Sequence, residues 1–401
     1  MMPGQAQANL DRPASSDLVA TARRLAAAFR DRAAENDALG RFPHANFDDL
    51  AREGLMASAI PRTFGGGGLS MANNDPLPQW LITAAVASGD LSTARVYEAH
   101  VNSVDMIAAL GSDRLQRDIF PDVVAGKVQL SAWLSEPSVV EIQDGAQRFA
   151  GATSARPADG GWYVSGTKTY ASGAGRATHA MIAATVIDDR TARTPQQIWL
   201  LLDTSASGVG IDLEGWRPMG MRPSASGRVV LDNVFIPERR RLADMRDTVA
   251  WFGQARILPQ FAASFIGGAT AAYEFTLDYV QRRKKQDDPF VQHHVGQMRI
   301  ALEVAKGFLA RTAQAWLEDE PAEAALISNM CRVVAEQQCA AVLGHATHAC
   351  GSTALIEPNL LGRVWRDLQM YMRHENLDRT VATIGRAVIG VPYDPNFARI
   401  S

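Results

Sequence analysis

The sequence predicts an α+β fold that is mostly α, in three parts: a helical domain over 14–127, a β-rich domain over 128–240 and a helical bundle over 241–401. Two observations carry this. Toward both ends, apolar residues recur at the spacing of one helix face. Between them, short apolar and β-branched runs bounded by Gly, Asp and Pro read as strands. At 401 residues the chain is long enough for about two or three compact units.

The first part is helical over 14–57. Leu18, Ala22, Leu25 and Phe29 share one face, and Phe47, Leu50, Ala51 and Leu55 share another, in an Ala-rich composition. The run Gly65-Gly66-Gly67-Gly68 cannot be a helix interior and reads as a loop. It lacks the Gly-Lys-Ser/Thr ending of a phosphate-binding loop, so a surface turn is expected. Residues 76–111 give two more helices, broken at Gly89-Asp90-Leu91-Ser92, with Asp90 or Ser92 as the cap of the second. His100 lies on that second helix among apolar residues, the ordinary setting of a core histidine.

From Val128 the texture changes. Segments 128–134, 162–164, 180–186, 198–202 and 229–235 read as strands, spaced as in a small antiparallel barrel or sandwich. From Thr248 the chain is helical again. Segments 258–279, 298–317 and 322–348, with the C-terminal segments, predict a four-helix bundle. Gly267-Gly268 permits close helix contact, and Arg282-Arg283-Lys284-Lys285 is a charge run of the kind that usually faces solvent.

Composition excludes several function classes. Apolar content of 47% and charged content of 21% are those of an ordinary globular protein. A formal net charge of −3 gives no electrostatic case for nucleic acid or an acidic membrane surface. No apolar run approaches the roughly 18 residues of a transmembrane helix. Met1 to Pro13 is polar and lacks a basic stretch followed by an apolar core, so no secretory signal is expected. Cys331, Cys339 and Cys350 are odd in number and lack Cys-x-x-Cys spacing, which predicts buried thiols in a reducing cytoplasm. The pairs His293-His294 and His345/His348 lack a carboxylate or Cys to complete a ligand set, so no metal site is expected.

The stretch Gly351–Gly390 organises the functional reading. Gly351-Ser352-Thr353 breaks one helix, Pro358-Asn359 opens a loop, and Trp365-Arg366-Asp367 lies on the next helix. His374-Glu375-Asn376 then falls in an interruption between two helices, where side chains can be aimed into a pocket. Three further segments lie in the β-rich part: Trp133-Leu134-Ser135-Glu136-Pro137, then 161–174 (GWYVSGTKTYASGA), then 216–226 (WRPMGMRPSAS).

In this order and spacing the segments resemble the acyl-CoA dehydrogenase superfamily, flavoproteins with a helical N-terminal domain, a middle β-barrel and a C-terminal four-helix bundle. The resemblance covers nearly the whole chain. Within it, Trp365-Arg366-Asp367, His374-Glu375 and Gly385 match the two-component monooxygenases related to dibenzothiophene monooxygenase without a gap, whereas the dehydrogenase pattern needs an insertion.

The resemblance implies a flavin, FMN or FAD, supplied reduced by a separate reductase, with O2 as co-substrate and a small organic substrate. Trp133 would cover the ring's apolar face, while Ser135, Ser172 and Gly173 would bond its polar edge. Arg283 would contact the flavin phosphates, often from a neighbouring subunit, and Ser352 lies in the turn that replaces a second cofactor motif. His100 and His374 would manage protons, with Glu375 orienting or charging His374. The alternative is an acyl-CoA dehydrogenase with Glu375 as the base.

Three departures from the dehydrogenase pattern favour the monooxygenase branch. Glu136-Pro137-Ser138-Val139-Val140-Glu141 lacks the Gly-Ser-Asp continuation, Arg283-Lys284-Lys285-Gln286-Asp287 lacks Phe-Gly, and Cys350-Gly351-Ser352-Thr353-Ala354 replaces a Gly-Gly-x-Gly-Tyr turn. A third branch of the superfamily is linked to DNA repair, but the net charge and the lack of a basic, aromatic-interleaved extension argue against it. The resemblance also implies a homotetramer built as a dimer of dimers.

Overall fold

A computed structural model gives the architecture, and it describes residues 15–70, 75–137, 139–143, 146–150, 153–187, 196–244, 247–248, 251, 255–318 and 320–391. Met1 to Pro13 and Ser138, singled out above, lie outside the described residues.

The N-terminal helices are α1 (Ser15–Leu39), α2 (His44–Arg52), α3 (Leu77–Gly89), α4 (Leu91–Leu110) and α5 (Asp113–Val124). Asp90 caps α4, its carboxylate accepting the Thr93 N–H at 2.9 Å. The glycine run is a structural turn. Gly67 N–H donates to Ala57 O and Gly68 N–H to Ile60 O, both at 2.9 Å, so these groups are not free to cradle a phosphate.

The strands are β1 (Leu130–Ala132), β2 (Val139–Gln143), β3 (Ala146–Ala150), β4 (Ser154–Ala158), β5 (Gly161–Ala171), β6 (His179–Val186), β7 (Gln196–Asp203), β8 (Val209–Asp212), β9 (Gly227–Pro237) and β10 (Arg241–Asp244). One sheet runs β10-β7-β6-β4-β5-β9-β8, with β1 added beside β6, while β2 and β3 form a separate hairpin. The sheet is mixed, where the sequence predicted antiparallel pairing. β1 and β4 both run parallel to β6. Short strands feeding in from the helical unit and from the hairpin meet β6 in that direction, which spacing along the chain does not reveal. Trp133, Val164, Ile182, Leu200 and Val234 fill a core belonging to the sheet.

The C-terminal part holds three long helices, α6 (Leu258–Arg282), α7 (Pro289–Glu318) and α8 (Pro321–Cys350), and two short ones, α9 (Leu360–Tyr371) and α10 (Leu377–Val388). The sequence predicted four long helices. The last divides because Gly351 ends α8 at φ 75° and a 3-10 turn, Met372–His374, interrupts the run after α9. A larger core joins this part to the N-terminal helices, with Trp80, Tyr97, Phe265, Leu343 and Leu368 among its members. The expected close contact at Gly267 is present, since a Cβ there would lie 2.2 Å from the Ala84 carbonyl oxygen of α3. Among the described residues no helix is long and apolar enough to cross a membrane.

The α3–α6 contact is tested by paired substitutions. Gly267→Ala is expected to destabilise by about 1–3 kcal/mol, because backbone must move to admit the methyl. Gly296→Ala in α7 has open space around its Cβ and should gain up to about 1 kcal/mol from helix propensity. Denaturant midpoints of the two variants check both signs.

Candidate active site

A cavity of about 760 Å³ lies where the sheet meets the helices. Its sheet-side wall is polar at one edge, with Ser135 after β1, Ser172 after β5, and Ser224 and Ser226 in the turn before β9. Its helical wall carries Arg95, Ala99, Asn102 and Met106, a 4-3-4 spacing that places one stripe of α4 on the cavity. Phe261 of α6, Met370 and Tyr371 of α9, and the turn residues His374 and Glu375 close the far side.

The serines form a directed chain. Ser224 O–H donates to Met221 O at 2.7 Å, so its single proton is spent. Ser226 must then donate to Ser224 at 2.8 Å, and Ser172 to Ser226 at 2.8 Å. Ser172 is left with acceptor lone pairs at the polar edge of the cavity. Three non-glycine residues adopt left-handed backbone here: Tyr170 (φ 51°), Met221 (φ 59°) and Ala225 (φ 46°). Such strain persists only where surrounding structure holds it.

The Trp365-Arg366-Asp367 run supplies that hold. Asp367 Oδ1 accepts the Met221 N–H at 2.6 Å, and Arg366 Nε donates to Met219 O at 3.2 Å. Arg366 also pairs with buried Asp37 of α1. Gly220 passes so close to α9 that a Cβ would lie 2.3 Å from Arg366 O. Burial raises the Asp367 carboxyl to about 7, against the pull of the Met221 N–H and Arg363.

A second buried carboxylate underlies the helical wall. Glu98 is fully buried. Arg95 Nη1 donates to its Oε1 at 2.9 Å, while Ser264 O–H (2.9 Å) and Tyr371 O–H donate to its Oε2. Burial raises Glu98 to about 7, with Arg95, Tyr371 and Ser264 opposing it. Within the sheet, buried Lys168 donates to Glu136 Oε1 at 2.6 Å and to Ala183 O at 2.7 Å. Burial lowers the Lys168 pKa and Glu136 raises it.

The structure brings His374, Glu375, Ser135 and Ser172 to one cavity. The His374 ring packs 4.9 Å from that of Phe261. Three other expectations, for His100, Trp133 and Gly173, need correction. His100 is buried off the cavity; its Nε2 bonds Met56 O at 2.8 Å and its Nδ1 accepts the Leu130 N–H at 3.0 Å. With both ring nitrogens committed to backbone, and burial lowering its pKa to about 4, it is a core residue. Trp133 points the other way from Ala132 and Leu134, into the sheet core, with Nε1 donating to Ser172 O at 3.2 Å. Gly173 has no N–H to offer, since it donates to Ser224 O at 2.9 Å. Arg283 and Ser352 are exposed and line no part of this cavity; the Arg283 guanidinium lies 5.3 Å from the Tyr279 ring. Sequence reasoning missed Arg95, Glu98, Asn102 and Tyr371. The available signal was the spacing of Arg95 and Asn102 along an otherwise apolar helix.

The family models match in chain order: the acyl-CoA dehydrogenase N-terminal domain over 13–127, the middle domain over 134–234 and the C-terminal domain over 260–379. The chain belongs to the acyl-CoA dehydrogenase superfamily. It is 26% identical to the putative acyl-CoA dehydrogenase YdbM of Bacillus subtilis, covering 89% of this chain and 92% of that protein. It is 25% identical to the probable FMNH2-dependent monooxygenase SfnC of Pseudomonas putida, covering 92% and 93%. Among solved structures, FMN-bound TdsC of Paenibacillus sp. A11-2, a dibenzothiophene monooxygenase, superposes with a TM-score of 0.83 at 20% identity, over 95% of this chain and all of that one. A flavin fits the acyl-CoA dehydrogenase cavity seen here. The serine chain ends in an unspent acceptor at its polar edge, where a flavin ring N–H can donate.

The buried Glu98 sets a pH dependence. Burial raises its folded pKa above the ordinary carboxyl range to about 7, so the native state holds the proton more tightly. The group therefore subtracts stability as pH rises through that window. The melting temperature of Glu98→Gln relative to the parent is expected to increase from pH 5 to pH 8, measured by calorimetry at both.

Proposed function

We propose that this protein is a flavin-dependent monooxygenase that receives reduced FMN or FAD from a separate reductase and oxygenates a small organic substrate. The observation that carries the reading is the His374-Glu375 turn, which shares one cavity with the serines of the flavin segments. The family membership and the FMN-binding and FMNH2-dependent relatives support it. Reduced flavin, when bound, supplies the two electrons that let one oxygen atom of O2 enter the substrate while the other leaves as water.

The chain's own residues orient, shield and move protons. Ser172 accepts at the polar edge, with Ser226 and Ser224 fixing its proton direction. Leu134, Met181 and Met221 give an apolar surface that excludes water. The His374 imidazole, steadied by Phe261, moves the proton at its ring nitrogen, a task suited to a ring whose two nitrogens can donate and accept. Glu375 stands beside it to orient or charge the ring.

We divide the chain at 127/128 and 240/241 into helical, middle and helical domains. We assign a homotetramer, a dimer of dimers, working in the cytoplasm. In that assembly Arg283 and Ser352, which lie off this chain's own cavity, would reach the phosphate tail of a neighbouring subunit's flavin. A second reading, acyl-CoA dehydrogenation with Glu375 as base, keeps support from the Glu375 carboxylate on the cavity and from the likeness to YdbM.

The test mixes the purified protein anaerobically with reduced FMN, admits ¹⁸O2 and follows label into product. His374→Ala is expected to bind FMN within about twofold of the parent yet lose coupled product by about a hundredfold or more. Unchanged turnover would remove His374 from the mechanism. A protein isolated yellow, giving no label, and bleached by an acyl-CoA unless Glu375 is changed to Gln would establish the second reading.

A further inference from the structure

The helical wall carries a cation with most of its donors unspent. Arg95 presents five N–H donors, and among the described residues the acceptor it reaches is Glu98, through Nη1 at 2.9 Å. Its guanidinium carbon lies 5.8 Å from the Phe261 ring and 5.9 Å from the Tyr371 ring, so both rings steady it. Its side chain is 14% exposed and lines the cavity, whereas that of Glu98 is 0% exposed. Glu98 therefore grips the guanidinium from behind, its other oxygen taken by Ser264 and Tyr371.

One turn further along α4, Ala99 leaves room. Two turns along, about 10 Å by helical rise, Asn102 presents a buried Oδ1 without a partner among the described residues. Met106 and Met181 extend the surface with apolar atoms. The other charges on the wall have partners or a place in the site: Glu136 is met by Lys168, Arg373 by Glu336, and Glu375 stands at the His374 turn.

We propose that Arg95 anchors the substrate through an oxyanion head group, making the substrate class a small organic acid, such as a carboxylate or a sulfinate. Its body lies over Ala99 and its far polar atom meets Asn102. A guanidinium fork suits such a head because two parallel N–H groups match two oxygens. Glu98 is a positioning residue that aims the fork. This deepens the monooxygenase reading, on which the word substrate rests.

The experiment titrates benzoate and its neutral isostere benzamide into the FMN-loaded protein by calorimetry. The parent is expected to bind benzoate at least about tenfold tighter than benzamide. Arg95→Lys keeps the charge pair with Glu98, and so the fold, but loses the fork; the preference should fall severalfold. The double variant Arg95→Gln/Glu98→Gln removes both buried charges together, and the preference should fall to about one. FMN affinity, read from flavin fluorescence, should stay within about twofold throughout.

Equal affinities in the parent, binding of neither probe at millimolar concentration, or a preference that survives both variants would overturn the proposal. So would an FMN affinity that collapses while the benzoate preference persists, since Arg95 would then serve the cofactor. An Arg95-dependent benzoate preference in a protein that gives no ¹⁸O-labelled product upholds the anchor and overturns the monooxygenase reading alone.

Discussion

A buried carboxylate on the last third of the chain holds the strained turn on which the cavity depends. Asp367 accepts the Met221 N–H, and without that acceptor the left-handed turn at Met221 would bury an unpaired amide. The same helix sends Arg366 back to Asp37 in the first helix and to Met219 in the turn. Three regions far apart in sequence are thereby fixed around one space. The serine chain inherits its direction from this turn, because Ser224 donates to the carbonyl of Met221. The polar edge offered to a flavin is thus a consequence of a helix–turn contact elsewhere.

The two walls of the cavity have different physics. On the sheet side, hydroxyls and strained backbone present fixed dipoles at little conformational cost. On the helical side, Arg95, Glu98, Ser264 and Tyr371 make a buried ionic network in which every oxygen of Glu98 has a donor. Such a network adds little net stability, because desolvation offsets attraction, but it fixes the guanidinium in one place. In the proposed function, specificity and proton handling would fall to the helices and cofactor orientation to the sheet.

The histidines show how local context misleads. The resemblance gave His100 and His374 the same proton-handling role, although His100 alone lay in the ordinary setting of a core histidine. In the fold one is locked into the core by Met56 O and the Leu130 N–H, and the other stands on the cavity wall. Likewise, Trp133 and Ser135 are two residues apart yet serve different places. The indole fills the sheet core and the serine lines the cavity, as the turn after β1 directs them.

The sequence by itself determined the helical, sheet and helical order, the break at Gly351, a cap at Asp90 or Ser92 and the segments that meet at the cavity. Periodicity, glycine conformational freedom and capping chemistry are local properties, so they are legible in the chain. The parallel pairings of β6, the commitment of His100 and Gly173 to backbone partners, and the Arg95–Glu98 pairing at the cavity were decided by tertiary structure alone. Each depends on which group from a distant segment arrives within hydrogen-bond reach, and that distance is a property of the packed molecule rather than of any stretch of its sequence.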